Sequence, residues 1–226
     1  MDLEGPFQIP LWFDYIATFA WAITGALIAA RRGYDIAGIA VLALVSATGG
    51  GLLRDGIFLQ NEPPLFLRTW VYMALVAAAA GAVQLAGSRI QHIPLFNRTI
   101  ALIDAFGLGG FAITGLQLSL AAGLTPPAAA FVGVVNAVGG GVLRDLLVRR
   151  DPAIFRPGPP AALAALAGCV IYLGLRQGPD VADIVAGTIS VAAVFVIRVA
   201  ALRYGWQTRA PRGFEGLDDG SNPHSG

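Results

Sequence analysis

ATGGGLLRD at residues 47–55 recurs, 90 residues later, as AVGGGVLRD at residues 137–145. Each copy places three consecutive glycines and then an Arg-Asp pair inside a long apolar segment. Glycine weakens a helix by about 1 kcal/mol relative to alanine and lets the backbone bend. In a membrane, an Arg-Asp pair is costly unless it faces a polar interior. The two copies together indicate a functional site at membrane depth.

The composition is that of a membrane protein and argues against several other classes. Of the 226 residues, 56% are hydrophobic and 13% are charged, and the mean hydropathy is +0.67. The formal charge of +1 does not support nucleic-acid binding. All 15 basic residues are arginine, which excludes a Walker-type phosphate loop and a Schiff-base lysine. We find no nucleophile–base or zinc-ligand pattern, so we expect no enzymatic activity, no cofactor and no fixed metal ion.

Seven segments are predicted to span the membrane as helices, which would make one domain of residues 11–201. Turn-forming Pro and Gly residues separate them, and the sixth is the shortest. The segments are Leu11–Ala30, Ile36–Phe58, Thr69–Ala86, Thr99–Ala122, Ala128–Val148, Ala161–Leu175 and Val181–Ala201. The polar, Gly- and Pro-rich residues 205–226 are predicted to form a flexible tail.

The arginines predict how the chain is oriented. If the seven segments cross in turn, 11 arginines fall on the side that carries the C-terminus and two on the other, apart from Arg54 and Arg144. The positive-inside rule then places the N-terminus outside and the C-terminus in the cytoplasm of a bacterial or archaeal cell. Candidate anchors at the membrane surface are Trp12, Trp21, Trp70 and Tyr72.

The 90-residue offset extends without a gap from Asp14 to Asp55. Ala22–Gly25 (AITG), for example, recurs as Ala112–Gly115. The first repeat covers about 11–87 and the second about 99–176, with the seventh helix, about 181–201, added after them. Because each unit has three spans, the two units must cross the membrane in opposite directions. The predicted fold is an all-α membrane protein with two inverted three-helix repeats and a seventh helix.

This symmetry brings both glycine triplets near the membrane midplane, where we expect the second and fifth helices to be broken. Broken helices expose carbonyls, which suit a hard cation, or N–H groups, which together with arginine suit a carboxylate. The alternative for the triplets is close helix packing. The Arg-Asp pairs could instead be structural, although adjacent positions on a helix point apart and we expect each charge to pair with another segment.

Other polar residues near the motifs are also candidates for an ion path. Asp14 and Asp104 either attract cations or are acids favoured by a helix N-terminus. Asn136 is the most polar group deep in the fifth segment. The full candidate set is Asp14, Ser46, Thr48, Gly49, Gly50, Gly51, Arg54, Asp55, Asp104, Asn136, Gly139, Gly140, Gly141, Arg144 and Asp145.

The doubled Gly-Gly-Gly-x-x-Arg-Asp, one copy in each three-helix unit, resembles the prokaryotic trimeric intracellular cation (TRIC) channel family. The same family is also described as the bacterial glycine-transporter domain family. The resemblance covers roughly 14–201 and implies a homotrimer in membrane lipid with a potassium-permeable pore inside each protomer. It also implies kinks at the glycines of the second and fifth helices. The animal members have a lysine-bearing motif at the second-helix site and bind an inositol phospholipid, whereas this sequence contains no lysine.

Two functions fit these features. The first is a monovalent cation channel with passive flow of potassium, whose glycine hinges open and close a path between the repeats. The second is a secondary transporter of glycine or another small solute, because inverted repeats are common in transporters. The family resemblance favours the channel.

Overall fold

The computed structural model describes residues 11–60, 63–90, 94–177 and 181–208, and this part of the chain forms helices and connecting turns without any strand. Seven long helices follow one another, which confirms the predicted seven-helix, all-α fold. They are α1 (Leu11–Arg31), α2 (Ile36–Leu53), α3 (Trp70–Ile90), α4 (Pro94–Ala121), α5 (Pro126–Leu147), α6 (Ala161–Arg176) and α7 (Asp183–Tyr204). Three short helices lie between them: the π-helical turn Arg54–Leu59, Leu65–Arg68 and the 3₁₀ turn Ala153–Phe155.

Helix boundaries differ from the predicted ones mainly at proline. Pro126 was placed in a connection but opens α5, and Pro94 opens α4. Proline is favoured in the first turn of a helix because its missing N–H would have no partner there. By length and hydropathy, five of the described helices can cross a membrane, whereas the apolar parts of α3 and α6, Trp70–Ala86 and Ala161–Arg176, are shorter.

The turns that follow α1 and α4 have the same structure. α1 ends with Gly33 at φ 72° and α4 ends with Gly123 at φ 85°. In the first turn Tyr34 N–H donates to Ala29 O, and in the second Leu124 N–H donates to Ser119 O. Glycine is suited to this left-handed position after a helix C-terminus. Equivalent positions therefore build the same turn in both units.

Each half of the molecule has its own apolar core. The first consists mainly of buried side chains from α1, α2 and α3. The second joins α4, α5, α6 and α7. α7 packs closely on this second half, because Gly109 and Gly168 leave room for Val191 and Val194. Large apolar side chains such as Leu85 and Val196 are exposed on the outer surface, as expected for residues that face lipid.

The crossing of α2 and α5 shows that the two halves are inverted. A Cβ atom placed on Gly50 would lie 2.0 Å from Asn136 O, and one on Gly140 would lie 2.5 Å from Ser46 O. Ser46 and Asn136 are equivalent positions, as are Gly50 and Gly140. Each contact is thus the repeat of the other with the helices exchanged, and later residues of α2 meet earlier residues of α5. This reciprocity requires antiparallel helices related by a pseudo-two-fold axis.

Candidate functional site

A cavity of about 670 Å³ lies between the two halves, beside the crossing of α2 and α5. Much of its wall consists of residues 90 positions apart, so the pseudo-two-fold axis also relates the two sides of the cavity. Equivalent pairs in the wall are Asp14 and Asp104, Trp21 and Phe111, Ser46 and Asn136, Gly50 and Gly140, Gly51 and Gly141, and Arg54 and Arg144.

The glycine triplets do not break their helices. α2 continues through its triplet to Leu53, and α5 continues to Leu147, so the prediction of broken helices is wrong. The first two glycines of each triplet instead let the helices touch: a Cβ on Gly49 would lie 3.0 Å from Gly140 Cα. Helical backbones can approach this closely only where side chains are absent. The first two glycines of each triplet therefore serve close helix packing, which was the alternative interpretation of the triplets.

The third glycine of each triplet has a different role. A Cβ on Gly51 would meet no atom within 4 Å, and one on Gly141 would meet only the tip of Arg144, at 3.8 Å. Both glycines line the cavity. The third position therefore keeps the cavity wide beside the crossing.

Regular α-helix ends just after the first triplet, at the Arg-Asp pair. The π-helical turn Arg54–Leu59 ends at Gln60, which has the left-handed φ of 52°. Arg54 is buried, and its Nε and Nη2 donate to Asp55 Oδ1 and Oδ2 at 2.5 and 2.7 Å. Arg54 Nη1 also lies 3.5 Å from Asn136 Oδ1. This guanidinium therefore links the two halves across the cavity wall.

The second Arg-Asp pair forms the same internal ion pair as the first but has a different hydrogen-bond partner outside the pair. Arg144 Nε donates to Asp145 Oδ1 at 2.9 Å, and Ala153 N–H donates to Asp145 Oδ2 at 3.2 Å. Both ion pairs form between neighbours, so the prediction that each charge pairs with another segment is wrong for the ion pairs. The contacts with other segments are hydrogen bonds, between Arg54 and Asn136 and between Ala153 and Asp145. The arginine side chain is long enough to fold back onto the next carboxylate.

Neutralising Asp55 should leave the buried Arg54 charge without its partner. We expect Asp55→Asn to lower the free energy of unfolding by about 2 kcal/mol, because breaking a buried pair costs more than removing it whole. The double variant Arg54→Gln/Asp55→Asn should lose only about 1 kcal/mol. Denaturant unfolding in detergent micelles measures both. A double variant less stable than the single one would contradict the ion-pair interpretation.

The two equivalent aspartates have different partners. The Tyr72 hydroxyl donates to Asp14 Oδ2, whereas Arg198 Nη2, on α7, donates to Asp104 Oδ2 at 3.4 Å. Asp14 lies in the first turn of α1 as predicted, but α4 begins at Pro94, so Asp104 lies inside its helix and not at its start. A helix N-terminus therefore cannot explain Asp104. Tyr72, a candidate surface anchor, is buried with this contact.

Unsatisfied polar atoms are concentrated in the cavity wall. Among the described residues, three buried side-chain atoms have no hydrogen-bond partner: Ser46 Oγ, Thr114 Oγ1 and Arg198 Nε. All three residues line the cavity. A buried polar atom without a partner is costly unless water reaches it. The wall is therefore suited to water or a polar solute.

Comparison with known proteins agrees with the doubled architecture. The sequence profile of the glycine transporter family matches the chain twice, at residues 11–88 and 101–177. The chain belongs to the glycine transporter family. These two matches coincide with the predicted repeats and confirm the family resemblance.

Members of the family with similar sequences are membrane proteins. The chain is 40% identical over 158 residues to a UPF0126 membrane protein of Deinococcus radiodurans, covering 70% of this chain and 72% of the relative. It is 30% identical over 202 residues to the UPF0126 inner membrane protein YadS of Escherichia coli, covering 88% and 94%. Together with the apolar helices, these relatives show that the chain is an integral membrane protein.

Solved structures extend the similarity to channels. One, described as "Structural basis for conductance through TRIC cation channels", has a TM-score of 0.81 and 29% identity and covers 89% of this chain and 96% of its own. Another is a TRIC trimeric intracellular cation channel orthologue from Rhodobacter sphaeroides, with a TM-score of 0.72 and 32% identity, covering 87% and 98%. The TRIC resemblance drawn from the doubled motif is thereby confirmed.

In this member of the glycine transporter family, the cavity brings most of the candidate residues together. Twelve of the 15 line it, and Gly49, Gly139 and Asp145 do not. Gly49 and Gly139 lie in the helix crossing, and Asp145 lies behind Arg144. Sequence reasoning missed several wall residues, above all Tyr72, Arg198 and the aromatic pair Trp21 and Phe111, whose ring centroids are 4.9 Å apart. For Arg198 a signal existed, because it is a charge within an apolar segment.

The described residues include no cluster of three or more His, Cys, Asp or Glu side chains that could hold a metal ion. His92 and His224 lie outside the described residues, as does the predicted flexible tail from residue 209 onward. Its first residues, 205–208, are described, and Thr208 N–H donates to Gly158 O at 3.1 Å.

Proposed function

We propose that this protein is a channel for monovalent cations such as potassium, and that the ions pass through the cavity inside each protomer. The observation that carries the proposal is the position of Ser46 Oγ, Thr114 Oγ1 and Arg198 Nε, all unpaired and all in residues of the cavity wall. Water bound to these three atoms would let a partly hydrated ion cross the apolar interior. The similarity to structures described as cation channels supports the same function.

The charges in the wall favour cations over anions. Arg54 and Arg144 are each neutralised by the aspartate that follows them. Asp14 and Asp104 add two carboxylates to the wall against the single positive charge of Arg198, and Ser46, Thr48 and Thr114 add hydroxyl groups. Oxygen ligands of these kinds suit a hard cation such as K⁺.

The glycine triplets supply a place for the channel to open. α2 and α5 touch at Gly49, Gly50, Gly139 and Gly140, so a small change at this contact would alter the cavity on both sides. The adjoining π-helical turn at Arg54 belongs to a class of helix irregularity that often accompanies function. We therefore assign the hinge to the crossing and not to a break within either helix.

The assembly and orientation complete the proposal. The family resemblance and the trimeric name of a similar structure support a homotrimer in membrane lipid. The arginine distribution supports an outer N-terminus and a cytoplasmic C-terminus. Residues 11–201 would then form one transmembrane domain, with residues 205–226 as a cytoplasmic tail.

A transporter of glycine or a similar small solute is the second candidate. Its specific support is the Nε of Arg198, buried in the wall without a partner, which could bind a carboxylate. The description of the family points the same way.

Purified protein in lipid vesicles separates the two candidates. We expect vesicles loaded with KCl and diluted into a K⁺-free medium to release K⁺ faster than protein-free vesicles, with no accumulation of labelled glycine. K⁺ release needs only a passive path, whereas accumulation needs coupling to an ion gradient. Glycine accumulation without K⁺ release would instead establish the transporter.

A further inference from the structure

The two ends of the cavity carry different charge although the repeat makes them equivalent. With each Arg-Asp pair taken as neutral, the end formed by the first repeat carries Asp14, and the end formed by the second carries Asp104 and Arg198. Arg198 comes from α7, outside the repeat, so it has no counterpart at the other end. The two ends thus differ by one positive charge.

The repeat also explains why Arg198 fits where it does. Asp14 receives its hydrogen bond from Tyr72 near the start of α3, whereas Ala161, at the start of α6, lines the same cavity in the second repeat. Alanine has no group that can reach Asp104. Arg198 supplies that contact from α7 instead, through Nη2 to Asp104 Oδ2 at 3.4 Å. A neutral donor at one end is therefore replaced by a cation at the other.

Arg198 is poorly neutralised for so buried a charge. It is 8% exposed, its Nη1 donates to Pro159 O at 3.3 Å, and its Nε has no partner. The contact with Asp104 is long, and the Asp104 side chain is 43% exposed. Other arginines near this end, such as Arg149, Arg150 and Arg156, are solvent-exposed and screened by salt. Of these four arginines, Arg198 carries the charge that salt screens least.

We propose that Arg198 makes the ion path electrically asymmetric, so that cations enter more readily from the Asp14 end and the channel rectifies. A fixed positive charge at one mouth lowers the local concentration of cations there. If the Asp104 end is cytoplasmic, inward K⁺ current exceeds outward current. This inference rests on the proposed channel function and names the residue that sets its preferred direction.

Single-channel recording in symmetric KCl tests the inference, because each inserted channel has one orientation. The readout is the ratio of the larger to the smaller current at equal and opposite voltages. We expect a ratio of at least about two in the wild type, the effect that one charge has in water on an ion about 10 Å away, because Arg198 lines the path and lies no farther from it. Arg198→Gln should bring the ratio to about one.

Three further variants make the result specific. Arg198→Lys keeps the charge and should retain the wild-type ratio. Arg203→Gln removes an exposed charge from the same helix, away from the cavity wall, and should also leave the ratio unchanged. Asp104→Asn removes the partial neutralisation and should raise the ratio, which tests the inference even where Arg198→Gln is recovered in low yield.

The possible outcomes distinguish failure of the rectification from failure of the proposed channel function. No cation current in the wild type would overturn both. A wild-type current that is equal in the two directions would overturn the rectification alone, as would an Arg198→Gln channel, monodisperse by gel filtration, that rectifies like the wild type.

Discussion

Alanine at Gly50 or at Gly140 should lower the free energy of unfolding by about 3 kcal/mol, the upper range for overpacking a tight contact. A Cβ on Gly50 would lie 2.0 Å from Asn136 O and one on Gly140 would lie 2.5 Å from Ser46 O. Both obstacles are backbone carbonyls, which cannot swing aside as a side chain can. The helices would have to separate, which would open the contact that joins the two halves. Denaturant unfolding in detergent micelles measures the loss.

The third glycine of each triplet provides the matched control. Gly51→Ala and Gly141→Ala make the same chemical change in the same helices, but a Cβ at these positions meets nothing within 3.8 Å. We expect their stability to equal that of the wild type or to rise by up to about 1 kcal/mol from helix propensity. If all four variants lost stability alike, the glycines would be needed for backbone flexibility and not for close approach.

Leucine at Gly51 should reduce K⁺ flux by about tenfold without a loss of stability, because an apolar constriction excludes water from an ion path. The position is open on the cavity side. The added side chain would therefore narrow the path beside the crossing and leave the contact at Gly50 intact. The double variant Gly51→Leu/Gly141→Leu should reduce flux further, from both sides of the pseudo-two-fold axis. Flux from KCl-loaded vesicles and unfolding in micelles measure the two effects.

Gly51→Ser serves as the control for leucine at this position. Serine adds a hydroxyl that can face water, so flux should stay close to the wild-type value. Gly51→Leu with undiminished flux in a monodisperse preparation would show that ions do not pass beside the third glycine. The path would then have to be sought elsewhere in the protein.

The repeat and the helices could be predicted because both produce regular patterns in the sequence. The offset of 90 residues needs no gap between Asp14 and Asp55, and the apolar segments have the length of a membrane span. The reciprocal contacts of Gly50 with Asn136 and of Gly140 with Ser46 are the three-dimensional form of that offset.

The role of the glycines could not be settled from the sequence, because the same residue both weakens a helix and permits close packing. Which effect prevails depends on the partner helix. The first two glycines of each triplet face that partner and the third does not, a difference that only the direction and angle of the crossing determine.

The electrical asymmetry of the cavity was hidden for a different reason. Comparing the two repeats identifies positions that are equivalent. Arg198 and Tyr72 have no equivalent polar side chain in the other half, so the comparison does not reveal them. Arg198 is one of the 11 arginines on the side that carries the C-terminus, although it lies within the seventh apolar segment. Its partner Asp104 is 94 positions away in the sequence, so no local pattern connects them.

The reversal potential of the purified protein in a planar bilayer under a KCl gradient shows whether the protein conducts cations. If cations cross the membrane through the cavity between the inverted halves, wild-type current should reverse near the equilibrium potential of K⁺, and Gly51→Leu should diminish that current. A reversal near the chloride potential, or no current from protein that is folded and inserted, would rule out cation conduction through the cavity.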